Sequence, residues 1–519
     1  MTKLNTVVLL LMMTLLRLSR CLKLPGAQEN SARTMVTDLI KRKSRDREGL
    51  GKPKGAMLPK YELLRHQLSG LPSSRPFLVL GIETSCDDTG VAVVSSNGSV
   101  LANVVYSQYE IHERFGGVVP SLAMESHKAN VDKAIAKALE TAGLQSLNDI
   151  DAVAVTRGPG LEICLRVGCR RAQSIALEYR KPFVTVHHLE AHCLIARLAG
   201  VEVSNESSET RPVVLDPIDS GVKEFQPKVE FPFLVFLASG GHTSLMLCHG
   251  LGDFRQLGGT LDDALGEAFD KAARLLGLKL SGSGGAAVET LARSGNPDTY
   301  RSFLRVPMRD RIDCDFSYAG MKSSFRLAVV AARAAAGITD ESKLRSSNAP
   351  ANQMEESPEP VELPSEAAAD LCAAFQDVAF QHVEDRLHRA LDYVEDNGVP
   401  VTALVVVGGV AANLELRRRL LRLLRSRQTG EDVPVLPLVF PPVSLCTDNG
   451  VMAAWGGVEK LLEGISDSAE DQEVQARWPL GTAMSPTFRR RPTRKEREGE
   501  GKDRGGRTVH SKDFTSRSE

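Results

Sequence analysis

Apolar runs of strand length alternate with helical segments through the middle of the chain. Residues 77–84, "FLVLGIET", read as a buried strand, "SCDDTG" as a turn and "VAVVSS" as a returning strand, which predicts a hairpin with acids at its tip. Residues 231–250 repeat the pattern around a glycine-containing turn, and segments such as "DAVAVTRGPG" and "TALVVVGGV" follow. Two similar halves predict a duplicated α/β unit with a cleft between the halves.

The remaining segments set the predicted boundaries. We expect a targeting or disordered region at 1–75, a first half at 76–200, a loop insertion at 201–229 and a second half at 230–480. The second half carries a helical insertion, and its Ser-, Pro- and Glu-rich stretch 340–366 is expected to be a disordered loop. Residues 481–519 are expected to form a disordered basic tail, either simply solvated or touching RNA.

Composition narrows the class of protein. A chain of 519 residues with 42% hydrophobic and 25% charged residues can bury more than one core, and a net charge of -1 gives no sign of a nucleic-acid partner. Nine cysteines without a CxxC pair indicate reduced thiols. The apolar N-terminal run is too short for a membrane span, so no stable membrane insertion is expected. The basic segment around it favours mitochondrial import over a plastid or secretory presequence or a plain tail.

The stretch "TVHHLEAHCLI" contains the densest group of candidate ligands. His188 and His192 are four residues apart, so on a helix both imidazoles project from one face, as two ligands of one ion or as an ordinary buried pair. In the zinc-protease pattern HExxH the glutamate follows the first histidine directly, whereas Glu190 stands one place later and points away. The natural third ligand is Asp448 in "SLCTDNG".

Two glycine turns are candidates for nucleotide contact. The glycines of "SGGHT" would let backbone N–H groups approach a phosphate, although such a turn is more often an ordinary hairpin. In "VVVGGVAANLELRRRL" an apolar strand passes through a Gly-Gly turn into a helix that Asn413 can cap. That arrangement suits a purine and ribose packed on glycine.

Ten motifs occurring in order give the chain a family resemblance. They are "GIETSCDDTGVAVV", "GGVVPSLAMESH", "GPGL", "VHHLEAH", "SGGHTSL", "DDALGEAFDKAARLLGL", "DFSYAGMK", "GGVAANLELR", "CTDNG" and "RWPL". Over about residues 77–480 the chain closely resembles the TsaD-like tRNA N6-adenosine threonylcarbamoyltransferase family, formerly described as O-sialoglycoprotein endopeptidase. Within that family it is most similar to the longer organellar, mitochondrial type.

The resemblance implies a fold and a set of site residues. The fold would be the α/β actin-like ATPase (ASKHA) fold, with two ribonuclease-H-like halves around a central cleft. One iron or zinc ion would be bound by His188, His192 and Asp448. The expected substrate contacts are Leu237, Ala238, Ser239, Gly240, Gly241, Asp270, Gly285 and Asn413, with Gly284 as the alternative to Gly285. The expected catalytic residues are Asp87, Asp88 and Lys322.

The resemblance also implies a reaction. The threonylcarbamoyl group of threonylcarbamoyl-AMP would pass to N6 of the adenosine 3′ of the anticodon in ANN-decoding tRNAs, releasing AMP. A companion synthase would supply the donor, and the mitochondrial forms are expected to act as homodimers. Because the donor is a mixed anhydride, the site needs alignment, charge stabilisation and a base rather than a nucleophile. Asp87 is the candidate base, unless both aspartates only satisfy hairpin N–H groups.

Other functional classes stay open at this point. A small-molecule kinase of the same fold would normally carry Asp-x-Gly-Thr in the first hairpin, where this chain has Glu83. A metalloprotease is opposed by the position of Glu190. A non-catalytic nucleotide-binding scaffold is harder to exclude. The chain also departs from the family in "LAMESH", where an arginine is frequent, which puts a tRNA-facing role for that loop in doubt.

Overall fold

The computed structural model describes residues 71–72, 74–113, 115, 117–198, 202–204, 229–278, 283–338, 363–428, 435–470 and 472–484. All of them belong to the compact unit Leu63–Glu519. The strands are β1 Leu78–Glu83, β2 Asp88–Ser95, β3 Val100–Ser107, β4 Ala152–Gly158, β5 Phe183–His187, β6 Glu202–Ser204, β7 Phe233–Ala238, β8 Thr243–Gly250, β9 Asp253–Gly259, β10 Leu404–Val407, β11 Leu438–Phe440 and β12 Thr482–Ala483.

The helices follow the strands in the alternation that the sequence predicts. They are α1 Tyr109–Glu113, α2 Pro120–Thr141, α3 Glu162–Glu178, α4 His188–Leu194, α5 Leu265–Leu275, α6 Gly284–Ala292, α7 Ala319–Ala335, α8 Ser365–Asp396, α9 Leu414–Ser426 and α10 Gly450–Leu462. Among these described segments, none combines the length and apolar character needed to cross a bilayer.

The two sheets share one strand order. The first sheet runs β3-β2-β1-β4-β5, and the second contains the equivalent series β9-β8-β7-β10-β11 with β12 and β6 added at its edges. In each series the opening hairpin is antiparallel and the later strands are parallel to its first strand. The predicted duplication is therefore confirmed, and this topology is that of the actin-like fold.

Helices cover both faces of both sheets, which explains why the central strands are apolar without alternation. One core lies between the first sheet and helices α2 and α3, and another lies between the second sheet and the outer helices α5 to α9. The third core lies between the two sheets and includes α4 and α10. The result is five layers, and the two helices of the middle layer bring the candidate metal ligands together.

Helix α10 approaches the first sheet more closely than a helix with ordinary side chains could. A Cβ on Gly81 of β1 would lie 2.3 Å from the backbone nitrogen of Ala454, and one on Gly450 would lie 2.4 Å from that of Ala92. Such distances require glycine at both positions. Asn449 caps the helix by accepting from the N–H of Met452 at 3.1 Å. Packing and capping thus fix the loop that ends in Asp448.

The predicted regions 1–75, 201–229, 340–366 and 481–519 fall almost wholly outside the described residues. Three described segments within these regions form a strand or a helix. Glu202–Ser204 pairs with β11, and Thr482–Ala483 pairs with β9 beyond the predicted end of the second half. Helix α8 begins at Ser365, inside the stretch expected to be a loop, because "SEAAADL" favours helix. The eight described cysteines are all free.

Candidate metal centre and cleft

His187 ends β5 and starts α4. Its Nδ1 accepts from the N–H groups of Leu189 and Glu190 at 3.1 and 3.4 Å, and its Nε2 donates to the carbonyl of Trp478 at 2.9 Å. Burial lowers the pKa of His187 to about 4, which keeps the ring neutral, as a capping acceptor must be. His187 is therefore a structural residue that sets where the helix begins.

The three predicted metal ligands come together in the middle layer. Nε2 of His192 lies 3.1 Å from Oδ1 of Asp448, and Nε2 of His188 lies 3.6 Å from the same oxygen. The candidate ligand atoms all lie within 4.8 Å of one another. Two imidazole nitrogens and one carboxylate oxygen that converge in this way fit iron or zinc.

Glu83 and Ser85, at the first hairpin, hold the far side of His188. Nδ1 of His188 lies 3.2 Å from Oγ of Ser85 and 3.4 Å from Oε2 of Glu83, which is fully buried. Burial opposes the charged ring, but Asp448 and Glu83 raise the pKa of His188 to about 9. Burial likewise disfavours ionised Glu83 and Asp448, yet the neighbouring imidazoles hold the pKa of each carboxyl below its usual value. Sequence reasoning missed the contact of Glu83 and Ser85 with His188. The available signal was an acid, Glu83, at the end of an apolar strand.

Glu190 faces away from the three ligands. Its carboxylate accepts from the N–H of Gly252 at 2.7 Å and lies 3.5 Å from Nζ of Lys460. A general base for a metal-bound water would have to lie beside the ligands. The geometry therefore agrees with the helical angle read from the sequence and argues against a zinc-protease arrangement.

Asp88 begins β2 at the tip of the first hairpin. Its Oδ1 is buried without a hydrogen-bond partner. Burial raises the pKa of Asp88 to about 7, with smaller contributions from Asp87, Asp448 and Glu83 and an opposing one from Ser107. Glu83 pairs with Gly90 in the hairpin ladder, two residues after Asp88, so this carboxyl lies at the same end of the hairpin as Glu83. A half-charged carboxyl at neutral pH is suited to proton transfer.

The predicted substrate turn lies at the carboxyl end of β7. Ser239 donates its N–H to the carbonyl of His242 at 2.8 Å, and its Oγ accepts from the N–H of His242 at 3.1 Å. Gly240 and Gly241 between them are exposed, with open space where a Cβ would stand. Although His242 is exposed, partial desolvation together with the nearby His188 and His192 lowers its pKa below the usual value, so this turn borders the metal cluster.

Neighbouring glycines pack closely against that turn. A Cβ on Gly408, after β10, would lie 2.4 Å from the carbonyl oxygen of Ala238, and one on Gly266 of α5 would lie 2.6 Å from that of Ser239. Leu237 pairs with Val407 in the parallel ladder, so both strands end at the same edge. The fold thus gathers the predicted nucleotide-binding loops at one edge of the second sheet.

Asp270 and Asn413 each hold a helix N-terminus near this edge. Oδ1 of Asp270 accepts from the N–H of Gly284 at 2.9 Å, and the N–H of Gly285 also bonds the carboxylate. A Cβ on Gly284 would lie 2.6 Å from Cα of Asp270, whereas one on Gly285 would meet only ordinary contacts at 3.9 Å. Oδ1 of Asn413 caps α9 through the N–H of Leu416 at 3.0 Å, as predicted.

Comparison with known proteins identifies the family. The family model described as tRNA N6-adenosine threonylcarbamoyltransferase matches residues 99–215 and 218–455. A protein of Arabidopsis thaliana named "Probable tRNA N6-adenosine threonylcarbamoyltransferase, mitochondrial" is 41% identical, over 80% of this chain and 78% of its own length. The chain belongs to the tRNA N6-adenosine threonylcarbamoyltransferase family.

Family members from other lineages agree with this assignment. A transferase of that name from Granulibacter bethesdensis is 40% identical over 78% of this chain and 94% of its own length. A mitochondrial form from Xenopus tropicalis is 37% identical over 80% of this chain and 91% of its own length. Membership of the tRNA N6-adenosine threonylcarbamoyltransferase family makes the chain a transferase and disfavours the kinase, protease and scaffold alternatives.

Lys322, a predicted site residue, makes no described hydrogen bond or ion pair with the other predicted site residues. Lys322 lies exposed in the first turn of α7, whose N-terminus is held by Asp262 through the N–H groups of Tyr318 and Ala319 at 2.7 and 3.2 Å. Within the described part of the chain, no hydrogen bond or ion pair joins its ammonium to the metal cluster or to the Ser239 turn. Its catalytic role stays a prediction.

Proposed function

We propose that the chain transfers the threonylcarbamoyl group from threonylcarbamoyl-AMP to N6 of the adenosine 3′ of the anticodon in ANN-decoding tRNAs. The observation that carries this proposal is the convergence of His188, His192 and Asp448 beside the exposed glycines of the Ser239 turn. A metal-binding donor set and a nucleotide-binding turn in one cleft suit a reaction whose donor is an adenylate.

Asp88 is the proposed general base. As the N6 nitrogen bonds to the carbamoyl carbon, the bond from that carbon to the phosphate oxygen breaks and AMP leaves with the electron pair. The proton on N6 passes to the Asp88 carboxylate, whose buried oxygen has no other partner. A pKa of about 7 for Asp88 lets it be ionised before transfer and still hold the proton afterwards. Sequence reasoning favours Asp87 for this role. The buried oxygen without a partner and the raised pKa of Asp88 support Asp88 instead.

The donor's adenylate would occupy the edge of the second sheet. The N–H groups of Gly240 and Gly241 would bind the phosphate, and the lack of any atom within 4 Å of a Cβ at either glycine, among the described residues, supports a close approach. Asp270 and Asn413 would meet the ribose and base. Gly285 would be the contacting glycine, since a Cβ there would have only ordinary contacts at 3.9 Å, whereas one on Gly284 would press on Asp270 at 2.6 Å. Lys322 would assist charge neutralisation only after movement of its flexible stem.

His188, His192 and Asp448 would hold one iron or zinc ion. When bound, such an ion would polarise the threonylcarbamoyl group or anchor the adenylate. Glu83 and Ser85 would fix the ring of His188, as outer hydrogen-bond partners do for metal-binding histidines.

The cellular setting follows from the relatives. We place the protein in mitochondria, as the names of the Arabidopsis and Xenopus proteins state for them. It would act there as a homodimer on donor made by a threonylcarbamoyl-AMP synthase. A fluorescently tagged copy should lose its mitochondrial signal when residues 1–75 are removed, whereas plastid or secretory signal would overturn the placement.

The reaction can be tested with the purified full chain. Metal-loaded protein, verified threonylcarbamoyl-AMP and unmodified ANN-decoding tRNA should yield N6-threonylcarbamoyladenosine in digested tRNA, measured by mass spectrometry. Asp88→Asn should abolish most of the product, while Glu190→Gln, altered on the far face of α4, serves as the matched control. Absence of product from the parent chain, with metal content confirmed, would refute the transferase proposal.

A further inference from the structure

A groove lined by arginines crosses the outer helices of the second half. Two adjoining cavities of ≈ 680 and ≈ 690 Å³ share Arg301, Val306 and Arg309 in their walls, so they form one continuous groove. We call it the arginine groove. Its basic lining consists of Arg301, Arg305, Arg309, Arg311, Arg419 and Arg422.

Two of the three acids that line the groove are already neutralised by arginines, and the third, Asp310, is outnumbered by the arginines around it. Glu384 receives two hydrogen bonds from Arg419, at 2.9 and 2.7 Å. Asp385 receives one from the buried Arg386 at 2.7 Å. Because these carboxylates are committed within the protein, they do little to offset the remaining positive charge of the groove.

Three exposed guanidinium groups are left without effective compensation. Within the described part of the chain, no acidic side chain pairs with Arg305 or Arg309. Arg422 lies 3.9 Å from Glu415, whose carboxylate is held far more tightly by Arg418 at 2.5 and 2.6 Å. Three uncompensated arginines along one groove favour a ligand with several negative charges in a row.

The loop that carries Arg305 and Arg309 is fixed by Arg301. The guanidinium of Arg301 donates to Oε1 of Gln381 at 2.9 Å and lies 3.5 Å from Oδ2 of Asp377. Asp377 also binds Arg419 at 2.7 Å. The groove is therefore held in shape by α8 and α9 rather than being a loose surface loop.

The same helix joins the arginine groove to the proposed substrate edge. Gln376, the residue before Asp377, accepts from Nδ2 of the buried Asn413 at 3.1 Å. One turn of α8 thus contacts the proposed donor-binding residue and the arginines of the groove. A polyanion bound in the groove would lie on the helix that forms the wall of the cleft.

We infer that the arginine groove binds the sugar-phosphate backbone of the tRNA substrate. This inference rests on the proposed function, which makes an RNA the acceptor. RNA presents successive phosphates, and guanidinium groups bind phosphate in a bidentate way. A protein partner that binds through apolar contact would not suit this groove, because the groove is lined mainly by charged residues. An RNA backbone supplies the regularly spaced charges that the row of arginines would bind.

The test combines tRNA binding with steady-state kinetics on the full chain. The triple variant Arg305→Gln, Arg309→Gln, Arg422→Gln should bind unmodified tRNA about 100-fold more weakly at about 0.1 M NaCl, with the slope of log affinity against log salt reduced by about 2 to 3. KM for tRNA should rise while kcat and KM for threonylcarbamoyl-AMP stay unchanged. Arg170→Gln, at an exposed arginine of α3, is the matched control.

Unchanged affinity and salt slope in the triple variant would overturn the assignment and leave the groove to another kind of partner. The two proposals fail separately because binding is measured without chemistry. If the parent chain binds tRNA through the groove but makes no product, only the transferase proposal is refuted. A parent chain that makes product while the triple variant binds tRNA normally defeats only the groove.

Discussion

Replacing Asp88 by asparagine tests the chemistry of the cleft most directly. Burial raises the pKa of Asp88 to about 7. A base with that pKa is ionised in about one tenth of the molecules at pH 6 and about nine tenths at pH 8, so the rate of the parent chain should rise roughly tenfold between them. Asp88→Asn should lose about 10² to 10⁴ in rate and lose this rise.

The same carboxyl should cost the folded protein stability at high pH. The unfolded chain titrates near 3.8, and the folded pKa of Asp88 is about 7, so the folded state holds the proton more tightly. The stability that protonation contributes is fully present below about pH 4 and is lost as pH rises towards 7. A shift of about three pKa units sets an upper limit of about 4 kcal/mol, reduced because the side chain is partly exposed to water.

Two measurements on the same variant check this reasoning. Single-turnover rates with saturating donor and tRNA give the pH profile, and urea unfolding at pH 5 and pH 8 gives the stability difference. Asp88→Asn should be slower than the parent chain and also more stable at pH 8, with a smaller advantage at pH 5. Asp87→Asn, the adjacent control, should keep the rise in rate. A variant whose profile parallels that of the parent, or that gains no stability at pH 8, would refute the assignment.

Three further changes test the supporting structure. Glu83→Gln should lower metal affinity about 10- to 100-fold, measured by competition with a chelator, while Glu190→Gln leaves metal affinity near that of the parent. Asn413→Ala removes the cap of α9 and should cost about 1 kcal/mol in urea unfolding, so an unchanged midpoint would contradict its capping role. Gly81→Ala would place a Cβ 2.3 Å from a backbone nitrogen of α10 and should cost about 1–3 kcal/mol or more, whereas Gly250→Ala, with open space around it, should stay within about 0.5 kcal/mol.

Local patterns predicted the parts of the fold that depend on neighbouring residues. The hairpins and the common face of His188 and His192 follow from strand alternation and helical spacing, and the structure confirms both. The contacts that complete the site join distant parts of the chain. Glu83 meets His188 across 105 residues, and no periodicity marks such a pair. Asp448 was the candidate third ligand because it stands on a loop after an apolar strand, and the family resemblance implied the same ligand set.

Burial and hydrogen-bond pairing distinguish the roles of residues of the same type, which the sequence alone does not. Asp87 and Asp88 are identical side chains in adjacent positions, and only packing shows that one carboxylate oxygen is enclosed without a partner. The arginines of α9 likewise look equivalent in the sequence. Arg419 is committed to Glu384 and Asp377, whereas Arg422 is exposed and poorly compensated. Sequence reasoning therefore found the candidate cleft and both aspartates, but it could not choose between them or find the arginine groove.

The distance along the chain between the metal ligands has a consequence for biosynthesis. His192 and Asp448 are 256 residues apart, yet both contribute to one donor set. A nascent chain that lacks the segment after Cys446 has both histidines but no third ligand. In the proposed site, all three ligands would be present only after Asp448 has been synthesised, and a product truncated before that residue would lack the carboxylate ligand even though its first sheet could form. Metal content would thus report whether synthesis had passed Asp448.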